Sequence, residues 1–164
     1  MKKWSLLLIS IILLILDKSF MPFLAIKGAY PSILFIFAIA YSIINGKKEG
    51  VMIGVLSGVL QDIFFYSGFG INSLINMLLC LVAAVIGENI YKEKRLIPVI
   101  TSIILYLIKV VAIGFICSLI DVKVDIKVGV LTALYSAIIM FVSYKPMYRL
   151  YDSDYKKSNW RIRW

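Results

Sequence analysis

The sequence predicts an all-α membrane protein, a bundle of six transmembrane helices with both termini in the cytoplasm. Three observations lead to this fold class. First, 62% of the 164 residues are apolar and the mean hydropathy is +0.94, whereas soluble domains are nearer half apolar. Second, the apolar residues are grouped into runs of helical length. Third, the basic residues are concentrated in alternate connections between those runs.

The apolar runs set the number of helices. A hydrocarbon core of about 30 Å requires roughly 20 apolar residues for each helical crossing. Six runs reach or approach this length: residues 4–26, 29–45, 51–67, 71–91, 96–120 and 128–147. The second and third are short, so we expect one or both to extend into the flanking glycine turns. The chain is therefore predicted to form one transmembrane domain, residues 1–150, followed by a short basic tail, residues 151–164.

The first run begins like a secretory signal, because Lys2 and Lys3 precede a stretch of leucine and isoleucine. No small-residue cleavage site follows this stretch. Asp17, Lys18 and Pro22 come next, with further apolar residues up to position 26. We therefore expect a retained first helix that is kinked near Pro22.

The distribution of lysine and arginine predicts the orientation. Thirteen of the 18 basic residues lie at the N-terminus, in the second and fourth connections and at the C-terminal end. The opposite connections carry only Lys27, Lys123 and Lys127. Because basic loops stay on the cytoplasmic side, both termini of this multi-pass membrane protein are predicted to be cytoplasmic.

The third run carries a ridge of small residues. Gly50, Gly54 and Gly58 follow one another at intervals of four, so they lie along one side of a helix. A ridge without side chains lets a second helix approach closely in lipid. We expect it to be a helix-packing or partner-binding face, and it is our candidate for the surface that binds a partner.

Several polar residues occur inside the apolar runs, where charges cost a few kcal/mol at least. At 1.5 Å per residue, Asp17, Asp62 and Lys109 lie roughly 16 to 20 Å from the cytoplasmic edges of their helices, at a common depth. Gln61 and Asn76 lie near that depth as well. We therefore predict a buried polar network of Asp17, Gln61, Asp62, Asn76 and Lys109, with Lys18 as a less certain member.

Three roles for this network are open. It could fix the register and orientation of the helices, because breaking a buried charge pair destabilises a fold. It could be an outward-facing pocket for a small ligand or a partner segment. It could be part of a proton or ion path, although such a path needs a continuous polar column and the cytoplasmic halves of these helices are almost wholly apolar.

Enzymatic and nucleic-acid-binding patterns are absent from the sequence. The chain has no histidine, which removes the commonest general base and metal ligand. It has no phosphate-binding loop and no nucleophile beside a base. No catalytic, metal-binding or cofactor-binding residue is predicted, and no cofactor. Nucleic acid is not an expected partner either, because basic and aromatic residues form no continuous docking face.

The tail combines basic and aromatic residues, a composition typical of segments at anionic membrane surfaces. An ordinary stop-transfer tail would have a similar composition. The candidate contacts to lipid headgroups are Lys156, Lys157, Trp160, Arg161, Arg163 and Trp164.

A set of short motifs between residues 30 and 87 resembles the MreD family of rod shape-determining membrane proteins. The motifs are Tyr30-Pro31-Ser32 at the start of the second helix, the glycines at 50, 54 and 58, Leu60-Gln61-Asp62, the turn Gly68-Phe69-Gly70, Ile71-Asn72-Ser73-Leu74, and Gly87. The overall length, the six spans and the basic tail fit the same family. The family often has a proline where this chain has Phe69.

The resemblance implies a non-enzymatic scaffold of the elongasome, with a fold similar to the substrate-binding subunits of energy-coupling-factor transporters. It also implies partners: the bitopic protein MreC and, through it, MreB filaments, the glycosyltransferase RodA and a class B penicillin-binding protein. A homodimer is left open. The alternative function is that of a substrate-binding membrane subunit of a vitamin transporter, for which the same glycine ridge would serve.

Overall fold

The computed structural model describes residues 3–64, 70–89, 96–119 and 126–151, and these residues are almost entirely helical, with no strand among them. The helices are α1 (Lys3–Ser19), α2 (Ile33–Asn45), α3 (Lys47–Phe64), α4 (Ile71–Glu88), α5 (Leu96–Leu119) and α6 (Ile126–Tyr151), with a short 3-10 turn, Met21–Leu24, between α1 and α2.

The helices have the composition of membrane spans. Within the described residues, three segments are long and apolar enough to cross a membrane: Ile71–Glu88 of α4, Leu96–Ile116 of α5 and Lys127–Leu150 of α6. This agrees with an all-α membrane protein. The full set of six crossings and the cytoplasmic position of both termini remain predictions.

Helix α2 is the centre of the bundle. It contacts all five other helices, and every residue from Leu34 to Ile44 is buried. A helix that is apolar on all sides is stable only when it is enclosed on all sides, by protein or by lipid. Here protein encloses it, so α2 does not need the length of a lipid-facing helix.

The connection between α1 and α2 differs from the prediction. The first helix does not continue with a kink to residue 26; it ends at Ser19. After the 3-10 turn, Ile26 and Ala29 exchange two backbone hydrogen bonds of 3.0 and 2.9 Å around a tight turn. The two central residues of that turn, Lys27 and Gly28, have φ values of +52° and +81°. These left-handed values are typical of two-residue hairpin turns and are incompatible with a continuous helix.

Two other boundaries are also shifted. Helix α2 begins at Ile33, with Ser32 as its N-cap, so Pro31 precedes the cap instead of lying in the first helical turn. Helix α3 begins at Lys47 and includes the basic residues that were predicted to form a loop. At this end of the bundle, Lys47 forms a 2.8 Å salt bridge with Glu88, the last residue of α4. This ion pair lies at the end of the α3–α4 hairpin opposite its turn.

Candidate functional site

A chain of hydrogen bonds runs through the bundle and joins four helices. The Lys109 Nζ of α5 donates to Gln61 Oε1 of α3 at 2.9 Å. Gln61 Nε2 donates to the Oγ of Ser32, the N-cap of α2, at 2.9 Å. The Ser32 hydroxyl in turn donates to Asp17 Oδ2 of α1 at 2.7 Å. We call this series Lys109, Gln61, Ser32 and Asp17 the polar relay.

The direction of the relay is determined at both ends. The Lys109 ammonium can only donate and the Asp17 carboxylate can only accept. Gln61 must therefore turn its carbonyl oxygen toward Lys109 and its amide nitrogen toward Ser32. That orientation leaves the Ser32 hydrogen for Asp17. No member can be reversed without placing two donors or two acceptors face to face.

Asn76 of α4 attaches a further helix to the same point. Its Oδ1 accepts from Lys109 Nζ at 2.7 Å, and its Nδ2 donates to Gln61 Oε1 at 3.0 Å and to Ser57 Oγ at 3.4 Å. Asn76, Gln61 and Lys109 are all buried. In the protein interior, away from water, an unpaired polar group is costly. The hydrogen bonds among these three side chains therefore hold α3, α4 and α5 in one register.

The Lys109 ammonium has an aromatic neighbour as well. Its Nζ lies 4.1 Å from the centre of the Phe35 ring of α2. The Phe35 ring is itself packed edge-to-face against Tyr106, with ring centres 5.5 Å apart. A cation over an aromatic face is stabilised, and more strongly when water is excluded. This contact adds α2 to the elements that Lys109 holds.

Asp17 at the other end of the relay stabilises the start of α2. Besides Ser32, it accepts hydrogen bonds from the backbone N–H groups of Ile33 at 2.6 Å and Leu34 at 3.1 Å. The first N–H groups of a helix have no partner within it, and a negative charge at that end is favourable. Asp17 therefore completes the capping of a helix that lies in the protein interior.

Asp62, predicted to be a member of the network, has a different role. It accepts hydrogen bonds of 2.9 to 3.0 Å from the backbone N–H groups of Gly70, Asn72 and Ser73 and from Asn72 Nδ2. It caps α4 as Asp17 caps α2. Its hydrogen bonds in the described residues thus go to the start of α4 and not to the relay, although Asp62 is adjacent in sequence to Gln61.

Two members of the arrangement were missed at the sequence level: Ser32 and Ser57. A signal for Ser32 was present, because a serine just before an apolar run is a typical helix N-cap. Ser57 lies one residue before Gly58 and gave no comparable signal. Lys18, considered a less certain member, is half-buried beside Asp17.

The structure places the glycine ridge against α4 of the same chain. A Cβ added at Gly54 would lie 2.8 Å from the backbone oxygen of Asn76, and one at Gly58 would overlap the backbone of Ser73. At Gly50 it would lie 3.1 Å from the Cβ of Ala84. The ridge lets α3 and α4 pack at close range. The structure therefore corrects the hypothesis that this ridge binds a partner, because α4 of the same chain already occupies it.

Two sets of residues for which the sequence predicts a role lie outside the described residues. The tail candidates are Lys156, Lys157, Trp160, Arg161, Arg163 and Trp164, and they stay predictions. Most of the glycine turn between α3 and α4, including Gly68 and Phe69, is also outside.

The polar atoms of this site are engaged with one another. Among the described residues, Ser10 Oγ is the one buried side-chain nitrogen or oxygen without a hydrogen-bond partner. Within the same ranges, no group of three or more cysteine, aspartate or glutamate side chains could hold a metal ion. What the arrangement visibly does is connect helices and cap two of them.

The chain matches a known protein family. A family model described as "rod shape-determining protein MreD" matches residues 1–153, a range that includes every described residue. No curated protein and no solved structure matches the chain.

Proposed function

We propose that this chain, which belongs to the MreD family of rod shape-determining proteins, is a non-catalytic scaffold of the cell-elongation machinery. It acts as a multi-pass protein of the bacterial cytoplasmic membrane. In this proposal it binds an MreC-like bitopic protein and other membrane proteins of the elongasome. It thereby helps to couple cytoskeletal MreB to the peptidoglycan synthases.

The observation that carries the proposal, beyond family membership, is the polar relay. Its buried charges are joined to each other through side chains from several helices of the same chain. Such bonds preorganise a bundle before a partner arrives, and preorganisation lowers the entropic cost of binding. This is the property required of a scaffold that acts by binding other helices.

In this proposal the partner uses a surface other than the glycine ridge, because α4 packs against that ridge. Each of the five outer helices has exposed apolar side chains, such as Leu8 on α1, Ile63 on α3, Leu78 on α4, Ile104 on α5 and Ile138 on α6. A photo-crosslinking amino acid at each of these five positions, in growing cells, would identify the helix that the partner contacts. Ile39, which is fully buried in α2, is the matched control and should give no crosslink to another protein.

The test of the function itself is purification of the tagged chain from gently solubilised membranes. We expect an MreC-like bitopic protein to co-purify, and depletion of the chain to turn rod-shaped cells round. Co-purification of a stoichiometric vitamin without such a partner would overturn the scaffold proposal. That result would favour the transporter subunit considered as the alternative, to which the family comparison gives no support.

A further inference from the structure

The connection between α1 and α2 exposes a cluster of large apolar side chains. We call residues 20–30 the outer turn. Phe23 is 86% exposed, the highest value among the large apolar residues of the structure, and Phe20, Leu24 and Ile26 are exposed as well. In a water-facing loop of 11 residues, four exposed apolar side chains of this size would be unfavourable. Their surroundings therefore need an explanation.

The lengths of the adjacent helices indicate where the outer turn lies. Helix α1 has 17 residues and α2 has 13, which correspond to about 25 and 20 Å along their axes. A bilayer has a hydrocarbon core of about 30 Å. Any tilt makes the projected length of each helix shorter still. Neither helix can cross the core alone.

The C-terminal end of α2 lies at the basic side of the bundle. Helix α2 ends at Asn45, and Lys47 and Lys48 follow immediately. With these lysines at one headgroup layer, the start of α2 lies roughly 10 Å below the other edge of the hydrocarbon core. Residues 20–32 must pass through the remaining depth. The outer turn thus begins within the bilayer and not above it.

The backbone of the outer turn suits such a location. Non-helical backbone at membrane depth must satisfy its own polar groups. Phe23 N–H donates to the carbonyl of Phe20, Ala25 N–H donates to that of Pro22, and the pair at Ile26 and Ala29 exchanges two bonds. Pro22 has no N–H to satisfy. The segment thus pairs much of its backbone internally by turns.

The polar part of the outer turn is confined to its tip. Lys27 is the one charged residue among residues 20–30, and it lies with Gly28 at the two-residue turn described above. A long lysine side chain near an interface can extend its ammonium to the phosphate layer while its stem remains in apolar surroundings. Along the chain from the end of α1, the outer turn therefore presents apolar side chains first and one positive charge at its tip.

We propose that the outer turn is a lipid-binding element. In this arrangement Phe20, Phe23, Leu24 and Ile26 contact the acyl chains of the leaflet opposite the basic loops, and the Lys27 ammonium contacts lipid phosphates. Lipid, and not water or another protein, covers this patch. The element keeps water away from Asp17 and Ser32, which lie at the adjacent ends of α1 and α2.

Spin labels at single cysteines test this placement in the full-length chain, reconstituted in phospholipid nanodiscs. Native Cys80 and Cys117 are first replaced by alanine. Labels are placed at Phe23→Cys and Ile26→Cys in the turn and at Lys27→Cys at its tip. Leu78→Cys on the exposed face of α4 and Lys48→Cys in the basic region are the lipid-facing and water-facing controls. Collision rates with oxygen and with a water-soluble nickel chelate are then measured for each label.

We expect the labels at positions 23 and 26 to match the label at position 78, with strong oxygen collisions and a loss of nickel collisions. The label at position 27 should collide with nickel nearly as often as the one at position 48. Nickel collisions at position 23 equal to those at position 48 would place the turn in water and overturn the proposal. Protection of position 23 from both reagents would also overturn it, because protein would then cover the patch.

A second measurement does not depend on labelling. Phe23→Asp and Phe23→Leu both remove the ring from a highly exposed site and so leave the packing of the bundle alone. We expect the aspartate variant to lose thermal stability in nanodiscs and the leucine variant to melt near the wild type. Equal melting of both variants would contradict an acyl-chain environment at this position.

Discussion

Lys109 and Asp17 carry opposite charges and are joined by two neutral side chains, Gln61 and Ser32, whose donors all point toward the carboxylate. The charges therefore compensate each other over a distance while the intervening groups come from two further helices. A direct ion pair would have tied only α1 to α5. The extended arrangement makes the position of one helix depend on several others.

Replacement of Lys109 by methionine should destabilise the bundle. The substitution keeps a long apolar side chain but removes the donor for Asn76 Oδ1 and one of the two donors for Gln61 Oε1, and it leaves the buried Asp17 charge without its compensating partner. Removing one partner of a direct buried ion pair costs about 3–5 kcal/mol, so we expect a loss of at most that size for this mediated pair. Unfolding in mixed micelles and abundance in the membrane would measure the loss. Lys48→Met, at an exposed lysine, is the control, and wild-type stability of Lys109→Met would contradict a structural role for the relay.

The two aspartates should differ in their coupling to Lys109. Asp17 belongs to the relay, whereas Asp62 makes its hydrogen bonds to the start of α4. A double-mutant cycle of Lys109→Met with Asp17→Asn should give a coupling free energy of about 0.5–3 kcal/mol. The cycle with Asp62→Asn should give a smaller value. A larger coupling for Asp62 would show that the charges interact by depth alone and that the relay is not the connection.

Gly58→Ala should disrupt the α3–α4 hairpin. The new methyl group would overlap the backbone of Ser73, so the helices would have to separate along their contact. Gly114 in α5 is the matched control, because a Cβ there meets nothing within 4 Å and alanine in a helix is favoured over glycine by about 0.5–1 kcal/mol. We expect lower melting for Gly58→Ala and unchanged or higher melting for Gly114→Ala. Normal melting of Gly58→Ala would refute the close packing.

The same contact affects how partner-binding experiments are interpreted. A bulky residue at Gly54 or Gly58 would reduce co-purification of a partner by damaging the fold. Loss of binding in such a variant would therefore not locate the interface. The exposed positions proposed above for crosslinking avoid this ambiguity.

Glu88→Gln should have little effect, in contrast to Lys109→Met. The Lys47–Glu88 ion pair is about half exposed, with side-chain exposures of 52% and 41%. Solvated pairs of this kind contribute about 0–1 kcal/mol. Unfolding of Glu88→Gln beside the wild type would test this. A loss as large as that of Lys109→Met would mean that this end of the hairpin is held by the ion pair and not by helix packing.

Depth and composition allowed part of the site to be predicted. Counting 1.5 Å per residue from the basic ends placed Asp17, Asp62 and Lys109 at a common level, with Gln61 and Asn76 near it. The structure connects four of these five residues through hydrogen bonds: Asp17, Gln61, Asn76 and Lys109. The role of Asp62 could not be obtained in this way. Depth along a helix says nothing about the direction in which a side chain points around it, and Asp62 points to the next helix in sequence.

The sequence pattern also could not predict where α1 ends or which helix packs against the glycine ridge. Residues 20–26 are as apolar as the residues of a transmembrane helix, so hydropathy alone gave no reason to end α1 at Ser19. The glycines at 50, 54 and 58 show that some helix comes close, but their spacing is the same whether that helix belongs to this chain or to another. Only the packing of α4 against them decides between the two.

The enclosure of α2 has a consequence for how the protein is made. While the ribosome is still synthesising the later part of the chain, α5 and α6 are not yet present to cover α2. Because nearly all of its side chains are apolar, we expect the unfinished chain to leave this helix in contact with lipid at little cost. We expect the last helices to displace that lipid, so that α2 is fully enclosed only when α5 and α6 pack against it.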